Sequence, residues 1–273
     1  MSEGNIEPPH PVIVAVEVEP TYVLGFPVYV ALTIGASRKG ASLTQLPLPS
    51  SASLRDAIGI NLYRPGEPRA FFERRPTAVV DPDLPGPIFR LRAGEVRRVL
   101  VEIEGLLPED LTAGEVEAEL IYGAPPRLAE RARVRLRFRE PTDAERRALA
   151  AIRPEVDEVG SYGLWARRPP ASPDKLALPD DPGDPLRYPR LLKYLIHGPE
   201  ELSAIDTGLL FKVLSGVFVP DAYGLAAELL AARDSGAAVA YAQQVKTSYP
   251  GLTAWMDALV AGQSEIAWAR RHR

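Results

Sequence analysis

The chain has 273 residues, 46% of them hydrophobic and 25% charged, with a net charge of −4. That length suits two ordinary domains, and the slight acidity gives no bulk field for holding nucleic acid. Cysteine is absent, which excludes disulfides, thiolate catalysis, iron–sulfur clusters and cysteine-based zinc sites.

The opening MSEGNIEPPHP lacks the basic and apolar regions of a secretory signal. No apolar run approaches the roughly 18 residues of a membrane span. The expectation is a cytoplasmic protein with no membrane partner. From Val12 the chain alternates. Val12, Val14, Val16 and Val18 share one face, with Glu17 and Glu19 on the other. Val28, Val30, Leu32 and Ile34 repeat the pattern. A period of two marks half-buried strands. Residues 57–63 predict a third strand, residues 64–68 a turn, and residues 36–56 a long loop.

Two stretches share L-x-A-G-E-V: Leu91–Val96 and Leu111–Val116. Each leads into an alternating run. Val99, Val101 and Ile103 are assigned to the core and Arg98, Glu102 and Glu104 to water, with Val96 out of phase as at a bulge. In the second run Val116, Ala118, Leu120 and Tyr122 oppose Glu115, Glu117 and Glu119. A phosphate loop needs several glycines opening a helix. Here one glycine precedes a strand, where it supplies a positive φ.

Glu130–Glu140 then sets Arg131, Arg133, Arg135, Arg137 and Arg139 on one face. Five arginines could grip a nucleic-acid backbone. A hairpin through residues 123–129 would instead place Glu119, Glu117 and Glu115 opposite Arg133, Arg135 and Arg137. The nearby aromatics, Tyr122 and Phe138, fall on the apolar face, so stacking on bases is not offered. The reading is a charge ladder, with no nucleic-acid partner. Seven or eight short strands joined by Gly/Pro turns predict an antiparallel β-sandwich over residues 10–140.

The run FRLRAGEVRRVLVEI…LTAGEVEAELIY, Phe89 to Tyr122, resembles the penultimate strands of bacterial immunoglobulin-like or fibronectin-III-like domains. The intracellular proteinase-inhibitor family of bacteria has a similar arrangement. Gly114-Glu115-Val116 stands where those domains carry a Gly-Thr-Tyr-like step. The resemblance implies an immunoglobulin-like fold for the N-terminal half and leaves the function open.

Thr142 and Glu145 form a capping box for a helix over residues 143–152. Residues 153–186, rich in proline, glycine and aspartate, read as a linker, so that residues 141–185 are a helix plus linker. After it come helical runs at 188–198, 206–216, 220–233, 235–249, 250–261 and near 264–271. Their lengths and short breaks suit antiparallel helical hairpins of the tetratricopeptide kind, without that consensus. The fold class expected is α+β multidomain: an immunoglobulin-like β-sandwich followed by a small all-α helical-hairpin domain over residues 186–273.

Reactive chemistry is sparse. The histidines are His10, His197 and His272, and His197 is placed to cap a helix C-terminus. No zincin, nucleophile-elbow, Walker or dinucleotide motif occurs. Asp180, Asp181 and Asp184 lack calcium-loop spacing and the terminal glutamate. No cofactor, metal or catalytic residue is assigned. Trp255 and Trp268 sit in helical patterns as core residues. Tyr162, Trp165, Arg167 and Arg168 group interface-prone residue types inside the linker. They either stitch the linker onto its neighbours or contact a partner. The function expected is non-catalytic protein–protein interaction, as adaptor, regulator or assembly component. The alternative is a regulator or substrate of a protease, acting through residues 153–186. A carboxylate-based enzyme ranks third.

Overall fold

The computed structural model describes residues 11–36, 44–47, 58–76, 88–91, 96–122, 130–172, 176–177, 179–181, 183–198, 239–240, 242–243, 246–247 and 257. Strands are β1 Pro11–Val18, β2 Tyr22–Val23, β3 Tyr29–Ala36, β4 Thr44–Pro47, β5 Ile58–Tyr63, β6 Ala70–Arg74, β7 Ile88–Leu91, β8 Val96–Glu102, β9 Gly114–Tyr122 and β10 Glu130–Arg139. Helices are α1 Asp143–Val159, α2 Tyr162–Arg167 and α3 Arg187–His197. The class is a strand-rich α+β. No helix among the described residues is long and apolar enough to cross a membrane.

One sheet runs β1-β3-β8, a second runs β2-β10-β9-β5-β6, and β4 pairs with β7 alone. The two larger sheets share one apolar core. β3 contributes Val30, Leu32 and Ile34, β5 contributes Ile58, Ile60 and Leu62, and β9 contributes Val116, Ala118 and Leu120. These are the alternating positions that a period of two selects. The described residues hold ten strands where seven or eight were expected, and β2 joins β10 in parallel at Phe138–Tyr22. The loop expected over residues 36–56 contains β4.

The one bulge expected from the sequence is not found where it was placed. β8 pairs with β3 without interruption from Val96 to Glu102, so the slip expected near Val96 is absent there. It lies in β1, between Ile13 and Ala15. The extra residue shifts the phase: Val14 is 58% exposed, while Ile13, Val16 and Val18 pack on the core. Of the two Ala-Gly pairs, Gly114 has φ 144° at the start of β9, as a turn glycine should. Gly94 lies outside the described residues.

The charge ladder forms in the expected register. Arg133 faces Glu119, Arg135 faces Glu117 and Arg137 faces Glu115. Burial grades it. Glu119, 6% exposed, accepts from Arg131 at 3.0 Å, Arg133 at 3.3 Å, Asn61 at 3.1 Å and Tyr63 at 3.3 Å. Burial opposes its ionisation, but these donors together hold its carboxyl below the usual range.

The outer face of the β1-β3-β8 sheet is covered at the Tyr29 end of β3, while Ala15 and Glu17 of β1 remain exposed. Tyr29 and Ala31 on β3 are buried against Tyr188 of α3, and Tyr29 meets the Tyr188 ring edge-on at 4.7 Å. A second apolar cluster joins Val23 and Phe26 to Val156, Tyr162, Trp165, Leu186, Leu191 and Leu192. Arg187 of α3 reaches Glu19 at 2.9 Å, tying that helix to the β1–β2 turn.

α1 begins as expected and ends seven residues later than expected, at Val159. Pro154 removes the N–H that would bond the Ala150 carbonyl. Both residues are exposed, so water can satisfy that carbonyl, and the helix continues to Gly160 in the left-handed conformation. Residues 153–168 are thus largely helical, and the irregular stretch begins after Arg168. At the start of α1, Glu145 accepts a two-pronged bond from Arg139 at 2.6 and 2.8 Å and a third from the Thr142 N–H. Arg139, foremost, holds the Glu145 carboxyl at about 2. Because that pKa is depressed, the bond's stabilisation is full above the unfolded value, about 4.3. It is lost as pH falls from there towards 2. Glu145→Gln is therefore expected to be about 1 kcal/mol less stable than the parent at pH 7. The gap should close by about pH 2, as read by urea unfolding at each pH.

Helical conformation recurs at 239–240, 242–243, 246–247 and 257, with Lys246 Nζ 2.7 Å from Asp257. The other helices expected after residue 198, with Trp255, Trp268 and His272, lie outside the described residues, as does His10.

Candidate functional site

α2 has six residues and is held at both ends by its surroundings. At its start Ser161 Oγ accepts from the Leu164 N–H at 3.1 Å. The Glu102 carboxylate of β8 accepts from the Tyr162 N–H at 3.0 Å and the Gly163 N–H at 2.9 Å. The Tyr29 hydroxyl donates to the same carboxylate at 3.4 Å. Glu102 was assigned to water by its alternation; it is 6% exposed and caps a helix. A Cβ on Gly163 would stand 3.3 Å from Glu102 Oε2, so the glycine admits the carboxylate. At the far end, the His197 ring donates through Nε2 to the Arg167 carbonyl at 2.8 Å. His197 closes α3, as expected from its place before Gly198, and also joins α3 to α2.

The four residues singled out in the sequence separate. Tyr162 is wholly buried and its hydroxyl donates to the Gly25 carbonyl. Burial, first, pushes that hydroxyl well above the usual phenol range. It stitches α2 to the β2–β3 turn and presents no surface to a partner. Arg168 is exposed and bonds Glu158 across the α1–α2 turn. Arg167 is half-buried. Trp165 alone of the four lines a groove.

That groove has a volume of about 670 Å³ and lies between α1, α2, α3 and the chain leading into α3. Its floor is the Trp165 ring and Lys193, and its walls include Pro170, Leu176, Ala177, Pro179 and Pro185. The Lys193 ammonium sits 4.0 Å from the ring centroid, a cation–π contact. Glu155 binds both floor residues, accepting from Trp165 Nε1 at 3.0 Å and standing 3.6 Å from Lys193 Nζ. Burial, more than its neighbours, holds the Lys193 amine below its usual range.

Four carboxylates border the groove. Glu145 is committed to Arg139. Asp184 accepts from the Leu186 N–H at 2.9 Å and from Arg190 at 2.7 Å, and so starts α3. Asp181 accepts from the Gly183 N–H at 2.7 Å but remains exposed, as does Asp180. Among the described residues no cluster of three His, Cys, Asp or Glu could hold a metal ion. Sequence reasoning missed Lys193 and the groove, because nothing local says that a lysine in an apolar helix will meet an indole some thirty residues earlier.

No protein-family model matches the chain, and no curated protein matches it. Among solved structures, it is similar over 47% of its length to a β-glucosidase from Listeria innocua solved with glucose, at 14% identity and a TM-score of 0.25. The match spans 16% of that enzyme. So slight a likeness carries no argument about fold or activity.

Proposed function

We propose that this chain is a non-catalytic, cytoplasmic protein-binding component, an adaptor, regulator or assembly factor, which docks a short extended segment of another protein in the Trp165 groove. In this reading residues 10–140 form an immunoglobulin-like sandwich, residues 141–185 bring α1 and the groove wall against it, and residues 186–273 continue as helical hairpins. The observation that carries the reading is the open apolar groove floored by a fixed indole. Trp165 is 5% exposed and anchored by Glu155 and Lys193, so the base of the groove is fixed before anything binds. Proline-lined walls are likewise stiff before binding. The exposed Asp180 and Asp181 at the rim favour a segment with an apolar residue beside Lys or Arg.

Selection from a random displayed-peptide library against the full chain tests this. The expected peptides carry an apolar residue flanked by basic ones. Their affinity should fall about tenfold for D180K/D181K and be abolished by Ala177→Glu, which fills the groove. No enrichment, or peptides that bind both variants as well as the parent, overturns the groove reading.

A further inference from the structure

Lys193 lies on α3, 6% exposed, and forms part of the groove floor. Two neighbours hold it. The Trp165 ring faces its ammonium at 4.0 Å, and the Glu155 carboxylate stands at 3.6 Å. A ring face is a weak acceptor, and 3.6 Å is beyond hydrogen-bond length. Glu155 is itself committed. It accepts from Trp165 Nε1 at 3.0 Å, and more than half of its side chain is in water. The other acids of the groove do not serve the ammonium. Glu145 is bound two-pronged by Arg139. Asp184 holds Arg190 and the Leu186 N–H. Asp180 and Asp181 are exposed at the rim. Among the described residues no carboxylate but Glu155 comes within 4 Å of Lys193 Nζ.

Burial, foremost, keeps the Lys193 amine below its usual range, and the attraction of Glu155 does not offset it. Lys193 is thus a buried cation short of acceptors at the bottom of a groove. That shortage bears on what can dock there. While the groove is open to solvent, water can supply the missing acceptors. A segment laid into it takes that water away, and must either replace it or bury the N–H donors of an ammonium unpaired. An apolar residue cannot replace it. A neutral carbonyl satisfies a donor and leaves the charge. A carboxylate satisfies the donor and matches the charge, and such a charge-assisted bond is about twice as strong as a neutral one.

We infer that the segment docked in the groove carries an Asp or Glu whose carboxylate pairs with Lys193 at the floor, in addition to the basic residues that meet Asp180 and Asp181 at the rim. This rests on the groove reading above and sharpens it. The partner sequence joins both signs of charge to an apolar residue, with the acid buried and the bases outside. A segment that makes the rim contacts alone leaves Lys193 buried and unpaired, which discriminates against merely basic peptides.

The test uses the peptides selected against the full chain. They should share an Asp or Glu at one position. Changing that residue to Asn or Gln should weaken binding to the parent at least about tenfold, a comparison that needs no variant of the chain. Lys193→Met then removes the ammonium and keeps an unbranched side chain. An apolar group of similar shape in place of a buried charge is tolerated by a fold. In K193M the acidic peptide and its amide version should bind equally, so the two changes are coupled, whereas D180K/D181K should weaken both peptides by about the same factor. Selected peptides without an acidic position, or an amide version that binds the parent as tightly, overturn the inference and leave the groove reading standing. An acid-to-amide penalty that K193M retains also overturns it, since the carboxylate is then read elsewhere. If no peptide is enriched at all, the groove reading falls and this inference with it.

Discussion

Glu102→Ala should destabilise the chain by about 3–4 kcal/mol, and the loss should be felt first in the helices. The carboxylate serves the Tyr162 and Gly163 N–H groups and the Tyr29 hydroxyl, all buried. Removing it leaves three donors in a dry interface, and an unsatisfied buried donor costs about 1–3 kcal/mol. Alanine brings no acceptor for any of the three. Glu102→Gln keeps one oxygen but turns an amide NH2 towards a donor, so it should cost about 2 kcal/mol. Urea unfolding measures the totals. Hydrogen exchange at the Tyr162 and Gly163 amides separates causes, since their protection should fall more than that of β3 or β9. A loss below about 1 kcal/mol, or equal loss of protection everywhere, would show that apolar packing alone seats α2.

The same residue shows where sequence reading stops. Glu102 follows Val101 in strict alternation, and alternation says only which face a residue takes. It does not say whether that face meets water. Here the face is covered by a helix sixty residues later in the chain, through contacts with no local signature. Pro154 misled differently. A proline inside a helical pattern ends it when the orphaned carbonyl is buried, and here it is exposed. Tyr162 and Trp165 were legible as unusual residues, and the structure sends one into the junction and the other to the groove floor. The β9–β10 register was legible because period-two alternation and opposite charge specify the same pairing, and two independent constraints in agreement leave no slip. β1 kept the pattern but hid its bulge, since an extra valine among valines leaves no mark in composition.

Agreement of register does not make every rung of that ladder equal, and glutamine substitutions should expose the difference. Glu119→Gln should cost about 1.5–2 kcal/mol, whereas Glu115→Gln and Glu117→Gln should each cost under about 0.5 kcal/mol. Arg135 reaches Glu115 and Glu117 only at 3.8 Å, from a side chain 72% exposed. Long, solvated pairs of that kind are screened and contribute little. Glu119 is enclosed by Asn61, Tyr63 and two arginines, and Arg133 lies 4.6 Å from the centroid of the Tyr63 ring. A glutamine there loses the charge that both guanidinium groups are gathered around. The Glu119 carboxyl is held below its usual pKa, so its contribution is complete above the unfolded value, about 4.3, and fades as pH falls through the depressed folded value. The gap between parent and Glu119→Gln should therefore narrow on acidification below about pH 4. The triple variant E115Q/E117Q/E119Q leaves Arg131, Arg133, Arg135 and Arg137 on one strand face with no carboxylate opposite them on β9. It should be retained on a polyanion column at salt concentrations that release the parent. Equal costs at all three positions would mean that pairing in the plane of the sheet, and not burial of one carboxylate, sets the strength of the ladder.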